Sequence, residues 1–518
     1  MTKNLKTTLL IWLPWLIIAL GIILRLDQYL FNRSLWLDES FVVINVINRS
    51  WLELFQAPLE YTGYITPPGF LLMAKLSITV FGNSDFILRL FPFISGILAL
   101  ILYYPMAKRY VSEHAVPFAL LLFAICSQLI IYSSDFKQYS SDVLIAIVLY
   151  LLADYIRRHS LNFSRLLLLT IVGSIAVWFS HPSVFILATI GIYLAFPYLL
   201  NQQWKQVAKL TLVYMLWLVN FAIIFFFLLS VETVYDKWLH EFWIINGGFM
   251  PAPFSMEGIQ WLYTKFALIL NNLASLGAIK VAAVLMIIGF MTLLLNKKPA
   301  WFLFTMPIVI ALCLSFFQMY VFSDRLLLFI LPVLYLMIAE GIAKIPTIVA
   351  QILIVLILIL FPIYQNFIIK DNHVIEEIKP VLETVQGHRL NTDKVYIYYW
   401  AEPAFRYYAN HYGFNYENCH IINPIAKTEH IKEVDFSRMQ RDLKPVAVND
   451  TQCILGNSEF FHPSLKDLEQ LKGQGRVWFI FSHLGEHERP LFLNYLDSIG
   501  TRLDENLQPG SSAYLYKF

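Results

Sequence analysis

Charge is what this sequence has least of. Only 14% of its 518 residues are Asp, Glu, Lys or Arg, against about 25% in soluble globular domains. Beside 58% hydrophobic residues, that shortage excludes a soluble enzyme and a disordered chain. The net charge is only +2, so there is no basic field to draw DNA or RNA, and nucleic acid is excluded as a partner. Also missing are a Walker-type phosphate loop, a strand-linked dinucleotide fingerprint and any Cys/His spacing suited to a metal. A nucleotide-driven pump and a cytosol-facing oxidoreductase lose their support with them. Cysteine is scarce: Cys126 and Cys313 fall in apolar runs and read as small buried hydrophobes. Cys419 and Cys453 lie in a polar segment where a disulfide is permitted, and spacing alone leaves their pairing open.

What the chain has is apolar length. Runs at 8–26, 87–106, 115–132, 141–156, 164–180, 183–200, 209–230, 277–295, 300–318, 326–343 and 346–365 each approach the ~20 residues that cross a bilayer. Lys3 and Lys6 precede the first run and no small-residue cleavage site follows it, so it reads as a retained helix. Gly69–Phe81 is shorter, contains Lys75 and follows Pro67-Pro68, which begin a helix well. It reads as an interfacial helix on the outer surface. Leaving it out of the spans sends Lys108-Arg109, Arg157-Arg158, Lys205-Lys209, Lys297-Lys298 and Lys344 to the same side as the N-terminal lysines. The positive-inside rule then puts the N-terminus in the cytoplasm and the C-terminus outside.

The expected architecture is a mainly α polytopic membrane protein of about eleven transmembrane helices with interfacial helices in its first outer loop. Residues 1–369 form its membrane domain, with outer loops at 27–86, 133–140, 231–276 and 319–325. From about 370 the composition turns polar, and residues 370–518 read as a small extracytoplasmic α/β domain. Its expected elements are helices at Val374–Val385, Glu402–His411 and Glu486–Ile499, and strands at Lys394–Tyr399, Arg476–Ser482 and Ser512–Lys517.

Chemistry-bearing residues gather in the outer loops. Ser34-Leu35-Trp36-Leu37-Asp38-Glu39-Ser40 sets two adjacent carboxylates just after the first span. One reading has Asp38 cap a helix starting near Ser40, with Glu39 adding favourable charge. The other makes Asp38 a general base at the membrane surface. Tyr64 stands in Tyr61-Thr62-Gly63-Tyr64-Ile65-Thr66, ahead of the interfacial helix. The second outer loop packs Asp135, Lys137, Tyr139 and Asp142 among hydroxyls, either as an aromatic interface with a snorkelling lysine or as a binding site. His181 reads first as a polar turn residue. Tyr235-Asp236-Lys237, His240-Glu241 and Gly247-Gly248 suit a solvated loop or a lid. Arg325 and Arg89, at outer span ends, either snorkel or bind phosphate oxygens through the guanidinium fork.

Taken in order, these motifs resemble those of the GT-C fold membrane glycosyltransferases, in the bacterial branch of glycosyltransferase family 39. That group holds the protein O-mannosyltransferases and the lipid A aminoarabinose transferase. The resemblance rests on Leu37-Asp38-Glu39, Thr66-Pro67-Pro68, Phe81-Gly82-Asn83-Ser84-Asp85 with Arg89-Leu90-Phe91-Pro92, Phe136 to Asp142, and Asp324-Arg325-Leu326-Leu327, across about the first 365 residues. It implies an inverting transfer from a polyprenyl-phosphate sugar to a lipid, glycan or protein hydroxyl on the outer face of a bacterial inner membrane. Asp38 would be the base, and Glu39 would orient acceptor or sugar. Lys137 and Arg325 would neutralise the leaving phosphate, with Tyr139, Arg89, Tyr64 and His181 as further substrate contacts. Many relatives carry Arg where this chain has Lys137, which lacks the planar fork. No cofactor is required, and a divalent metal near Asp38 and Glu39 is left open. The competing readings are a flippase of lipid-linked glycans and an envelope scaffold acting through the C-terminal domain.

Overall fold

Helix forms within each of the eleven apolar runs in the computed structural model, which describes residues 2–56, 59–61, 66–226, 234–369, 374–422, 451–456 and 468–518. The chain divides into two compact units. One holds Met1–Phe31, Thr66–Val231 and Leu239–Asn372; the other holds Asn32–Ile65, Glu232–Trp238 and His373–Phe518.

In the helical unit, nine helices among the described residues are long and apolar enough to cross a membrane, from Trp12–Phe31 to Ile348–Ile368. The remaining two runs depart from a plain span. Phe163–Phe179 is 17 residues long, and the run at 115–132 is two helices, Val116–Ile125 and Ser127–Ser134, bent by 58°. A break in an apolar helix frees carbonyls that lipid cannot satisfy. Here Arg25, 1% exposed, donates to the Ala124 carbonyl at 3.0 Å and Asn366 donates to that of Ile125 at 2.9 Å. The break at Cys126 therefore explains a buried arginine in the first span.

The most buried span is Asp324–Ala343, with 89% of its apolar window inside. Small residues let a neighbouring helix close on it. A Cβ at Gly289 would fall 1.8 Å from the Met337 carbonyl oxygen, and one at Gly341 would fall 2.1 Å from that of Leu285. Pro68–Phe81 is a helix of 14 residues with proline at its start. At 1.5 Å per residue it reaches about 21 Å, short of a ~30 Å hydrocarbon core.

The second unit is built on a mixed sheet, which among the described residues has six strands: β1 (Lys394–Ile397), β2 (Cys419–Ile421), β3 (Cys453–Leu455), β4 (Arg476–Ser482), β5 (Thr501–Gln508) and β6 (Ser511–Lys517). Their order is β2-β3-β1-β4-β6-β5. The first four in that order are mutually parallel, and β6 and β5 join antiparallel. β4 is buried from Val477 to Ser482, as a strand covered on both faces must be. Helices Ile378–His388, Glu402–Tyr408 and Glu488–Ile499 accompany the sheet. The first of these begins at Ile378, not at Val374 as the sequence suggests.

Cys419 and Cys453 stand opposite each other in the β2–β3 register and form a disulfide. Their separation of 34 residues sets the chain entropy removed from the unfolded state. Cys453→Ser is expected to lower the stability of this unit by about 3 kcal/mol, read by thermal melting. An equal melt for the reduced and oxidised protein would contradict this.

Candidate active site

Asp38 sits on helix Leu37–Asn48, which starts a turn earlier than the capping reading allows. Trp36 is the N-cap, so Asp38 and Glu39 both lie in the first turn, where carboxylates are favoured by the helix dipole. Asp38 therefore does not cap this helix. Glu39 is fully buried; its Oε2 accepts from Arg33 Nη1 at 2.6 Å and from the Trp36 N–H at 3.4 Å. Asp38 is half-buried. Of the two neighbours, Glu39 is fully buried and holds the turn, and Asp38 keeps partial exposure.

The segment leading to that helix is held amide by amide. Ser34 N–H donates to Glu377 at 3.0 Å, Leu35 N–H to the Tyr408 hydroxyl at 2.9 Å, and Leu37 N–H to Glu376 at 2.9 Å. With Trp36 bound to Glu39, four consecutive amides are satisfied without a strand or helix partner. Three of the four acceptors come from more than 330 residues downstream.

A second polar cluster fixes the other end of the same segment. Tyr61 adopts a left-handed φ of 64°, costly for a bulky residue, and stacks on Phe41 with centroids 5.0 Å apart. Its hydroxyl donates to Glu402 at 2.6 Å, and the Tyr416 hydroxyl donates to the other Glu402 oxygen. Arg406 pairs with Glu60 at 2.7 Å. Burial raises the Glu402 carboxyl above its ordinary value, against the opposing pull of Arg406 and of the two phenols. A raised pKa in the folded state means that its stabilising contribution is full below the ordinary carboxylate pKa and is lost as pH climbs through the raised value. Glu402→Ala strands two buried hydroxyls and is expected to cost about 2–4 kcal/mol, measured as a drop in melting temperature. An unchanged melt would refute the cluster's structural role.

In the helical unit a separate group of cations and rings assembles. Arg325, in the 3₁₀ turn Asp324–Ile330, hydrogen-bonds Tyr132, and its guanidinium lies 5.7 Å from the Tyr139 ring centroid. Lys265 is buried; its Nζ donates to Ser323 Oγ at 3.0 Å and lies 5.7 Å from the Trp261 ring, while Ser323 Oγ donates to Asp324 at 2.9 Å. Desolvation lowers the Lys265 pKa, with the Asp324 charge opposing it. Lys137 is buried two residues before Tyr139, its N–H donating to the Asp135 carbonyl at 2.7 Å. Segments 132–142 and 320–325 and the helix Met256–Leu268 thus converge. Lys265 was missed in the sequence; its one signal is the i,i+4 spacing from Trp261, which sets ring beside ammonium.

Arg89, 2% exposed, sits between helices Asp85–Leu88 and Leu90–Tyr110, where its charge acts on Tyr29. His181 occupies the turn before helix Ser183–Leu200 and is half-buried. Tyr64 lies outside the described residues. Among the described residues no three His, Cys, Asp or Glu side chains are placed to hold a metal ion.

Residues 66–239 match the family described as dolichyl-phosphate-mannose-protein mannosyltransferase. No curated protein sequence matches the chain. Among solved structures, ArnT from Cupriavidus metallidurans bound to undecaprenyl phosphate aligns over 96% of this chain and 97% of its own, at 10% identity and a TM-score of 0.54. AglB, an oligosaccharyltransferase from Archaeoglobus fulgidus in complex with an inhibitory peptide and a dolichol-phosphate, aligns over 97% of this chain and 74% of its own, at 11% identity and 0.51. About a third of the chain thus matches that mannosyltransferase family, and the chain as a whole is a polytopic helical membrane protein that shares the fold of ArnT.

Proposed function

We propose that this chain is an inverting glycosyltransferase that moves a sugar from a polyprenyl-phosphate donor to an acceptor hydroxyl at the outer face of a bacterial inner membrane. The observation that carries the reading is Asp38: a half-buried carboxylate in the first turn of a helix whose start is fixed through Leu37 and Glu39. Asp38 takes the proton from the acceptor hydroxyl, and the oxygen attacks the anomeric carbon. The bond from that carbon to the phosphate oxygen breaks, the configuration inverts, and polyprenyl phosphate leaves. Arg325, Lys265 and Lys137 meet the charge growing on the phosphate. Glu39 serves the reaction by keeping the turn rigid through Arg33. The undecaprenyl phosphate held by ArnT and the dolichol-phosphate held by AglB support a lipid-phosphate donor here too.

The test is turnover. Purified protein in liposomes, given polyprenyl-phosphate sugars of the hexose and pentose classes with envelope lipid, glycan or protein acceptors, is expected to release polyprenyl phosphate only when a suitable acceptor is present. Movement of the donor across the bilayer without cleavage would replace this reading with a flippase. Activity of the C-terminal segment alone would replace it with a scaffold.

A further inference from the structure

His483 follows β4 and carries a left-handed φ of 58°, a conformation a non-glycine residue holds only when its surroundings impose it. Its N–H donates to the Gly510 carbonyl at 3.1 Å, and its Nδ1 lies 2.6 Å from Glu376 Oε1. Glu376 is buried, and its other oxygen accepts from the Leu37 amide at 2.9 Å and from Ser482 Oγ at 3.3 Å. One carboxylate therefore binds both the imidazole and the residue immediately before Asp38. Trp400 lies against both sides of the arrangement, 6.3 Å from the His483 ring and 6.4 Å from the Phe41 ring on the Asp38 helix.

We propose that His483 is a positioning residue for Asp38: an imidazolium anchored by Glu376, whose charge keeps the neighbouring base ionised and correctly directed. The inference rests on the assignment of Asp38 as the base. It adds a part for the C-terminal segment, which supplies the counter-charge to a catalytic group from the first outer loop. The acidic groups facing the imidazole are Glu376 before helix Ile378–His388, Asp38 on helix Leu37–Asn48 and Glu488 on helix Glu488–Ile499. Partial burial pulls its pKa down, but the hydrogen bond to Glu376 and then the charges of Glu376, Asp38 and Glu488 carry it above the usual histidine value. Coupling between two sites is reciprocal, so the charge that Asp38 stabilises on His483 stabilises the carboxylate of Asp38 equally.

The sign follows. Without the imidazolium, Asp38 holds its proton to higher pH, and the acid limb of the rate profile moves up. In the full chain in liposomes, His483→Asn is expected to shift that limb upward by about 0.5 pH unit or more, and His483→Arg, whose charge does not titrate there, is expected to return it. A profile for His483→Asn that superimposes on the parent's would overturn the proposal. An NMR titration of His483 gives a second reading that needs no turnover and no folded His483 variant. Its pKa is expected to fall by about 0.5 unit in Asp38→Asn, and an unchanged pKa would overturn the proposal equally. Absence of any polyprenyl phosphate release by the parent would count against the glycosyltransfer reading alone, since the titration reports the pair whatever the reaction.

Discussion

Asp38→Asn is expected to slow the release of polyprenyl phosphate by about 10²–10⁴-fold while leaving the chain folded. The two halves of that expectation have separate causes. Asparagine keeps the size and polarity of the side chain but cannot take a proton from an attacking hydroxyl, so the loss falls on the chemical step. The helix start keeps its other anchors. Leu37 is bound to Glu376, Leu35 to Tyr408, Ser34 to Glu377, and Glu39 to Arg33. The measurement is single-turnover release from labelled donor, with the melt recorded on the same preparation. Near-parent release by the Asn variant would remove Asp38 from the role of base. The same exchange at Glu39 is not an equivalent probe. It would leave the buried Arg33 guanidinium without its partner carboxylate, and any loss of activity would then report a collapsed turn.

The membrane half of the fold was legible because hydropathy is summed over about twenty residues, and one misplaced polar group does not change the sum. Arg25 did not hide the first span, and Pro67-Pro68 marked the start of the short helix as read. What escaped depends on single contacts. Trp36 is no standard cap, so nothing in Ser34–Ser40 announced a helix beginning at Leu37. Its support comes from Glu376 and Glu377, 339 and 343 residues away, a link that no local pattern carries. β5 was missed because Thr501–Gln508 alternates exposed with half-buried positions and has no apolar face to read. The disulfide lay within reach of sequence only as two cysteines in one polar segment; the parallel pairing of β2 with β3 is what sets them opposite each other. Of the candidate residues, Asp38, Lys137 and Arg325 were visible because each stands in a polar cluster at a span end. Lys265 stands in an amphipathic helix where one lysine draws no notice.

The cation group makes the second large prediction. Arg325→Ala is expected to lower turnover by about 10²–10³-fold, because leaving-group charge appears in the transition state and is only partly present in the bound donor. Arg325→Lys is expected to recover only part of this. The guanidinium both hydrogen-bonds Tyr132 and lies by the Tyr139 ring, and an ammonium replaces neither the fork nor the planar face. Lys265→Met distinguishes a second effect. Burial lowers the Lys265 pKa, so its charge is lost on the alkaline side at a lower pH than that of an exposed lysine. Affinity for polyprenyl phosphate is therefore expected to weaken as pH rises through that range in the parent, and to be weaker but flat in Lys265→Met. Binding isotherms with polyprenyl monophosphate in liposomes, taken across the alkaline range, measure both quantities. A Met variant that keeps the parent's slope would show that another group titrates, and would remove Lys265 from the phosphate's partners while leaving the case for Arg325 to its own kinetics.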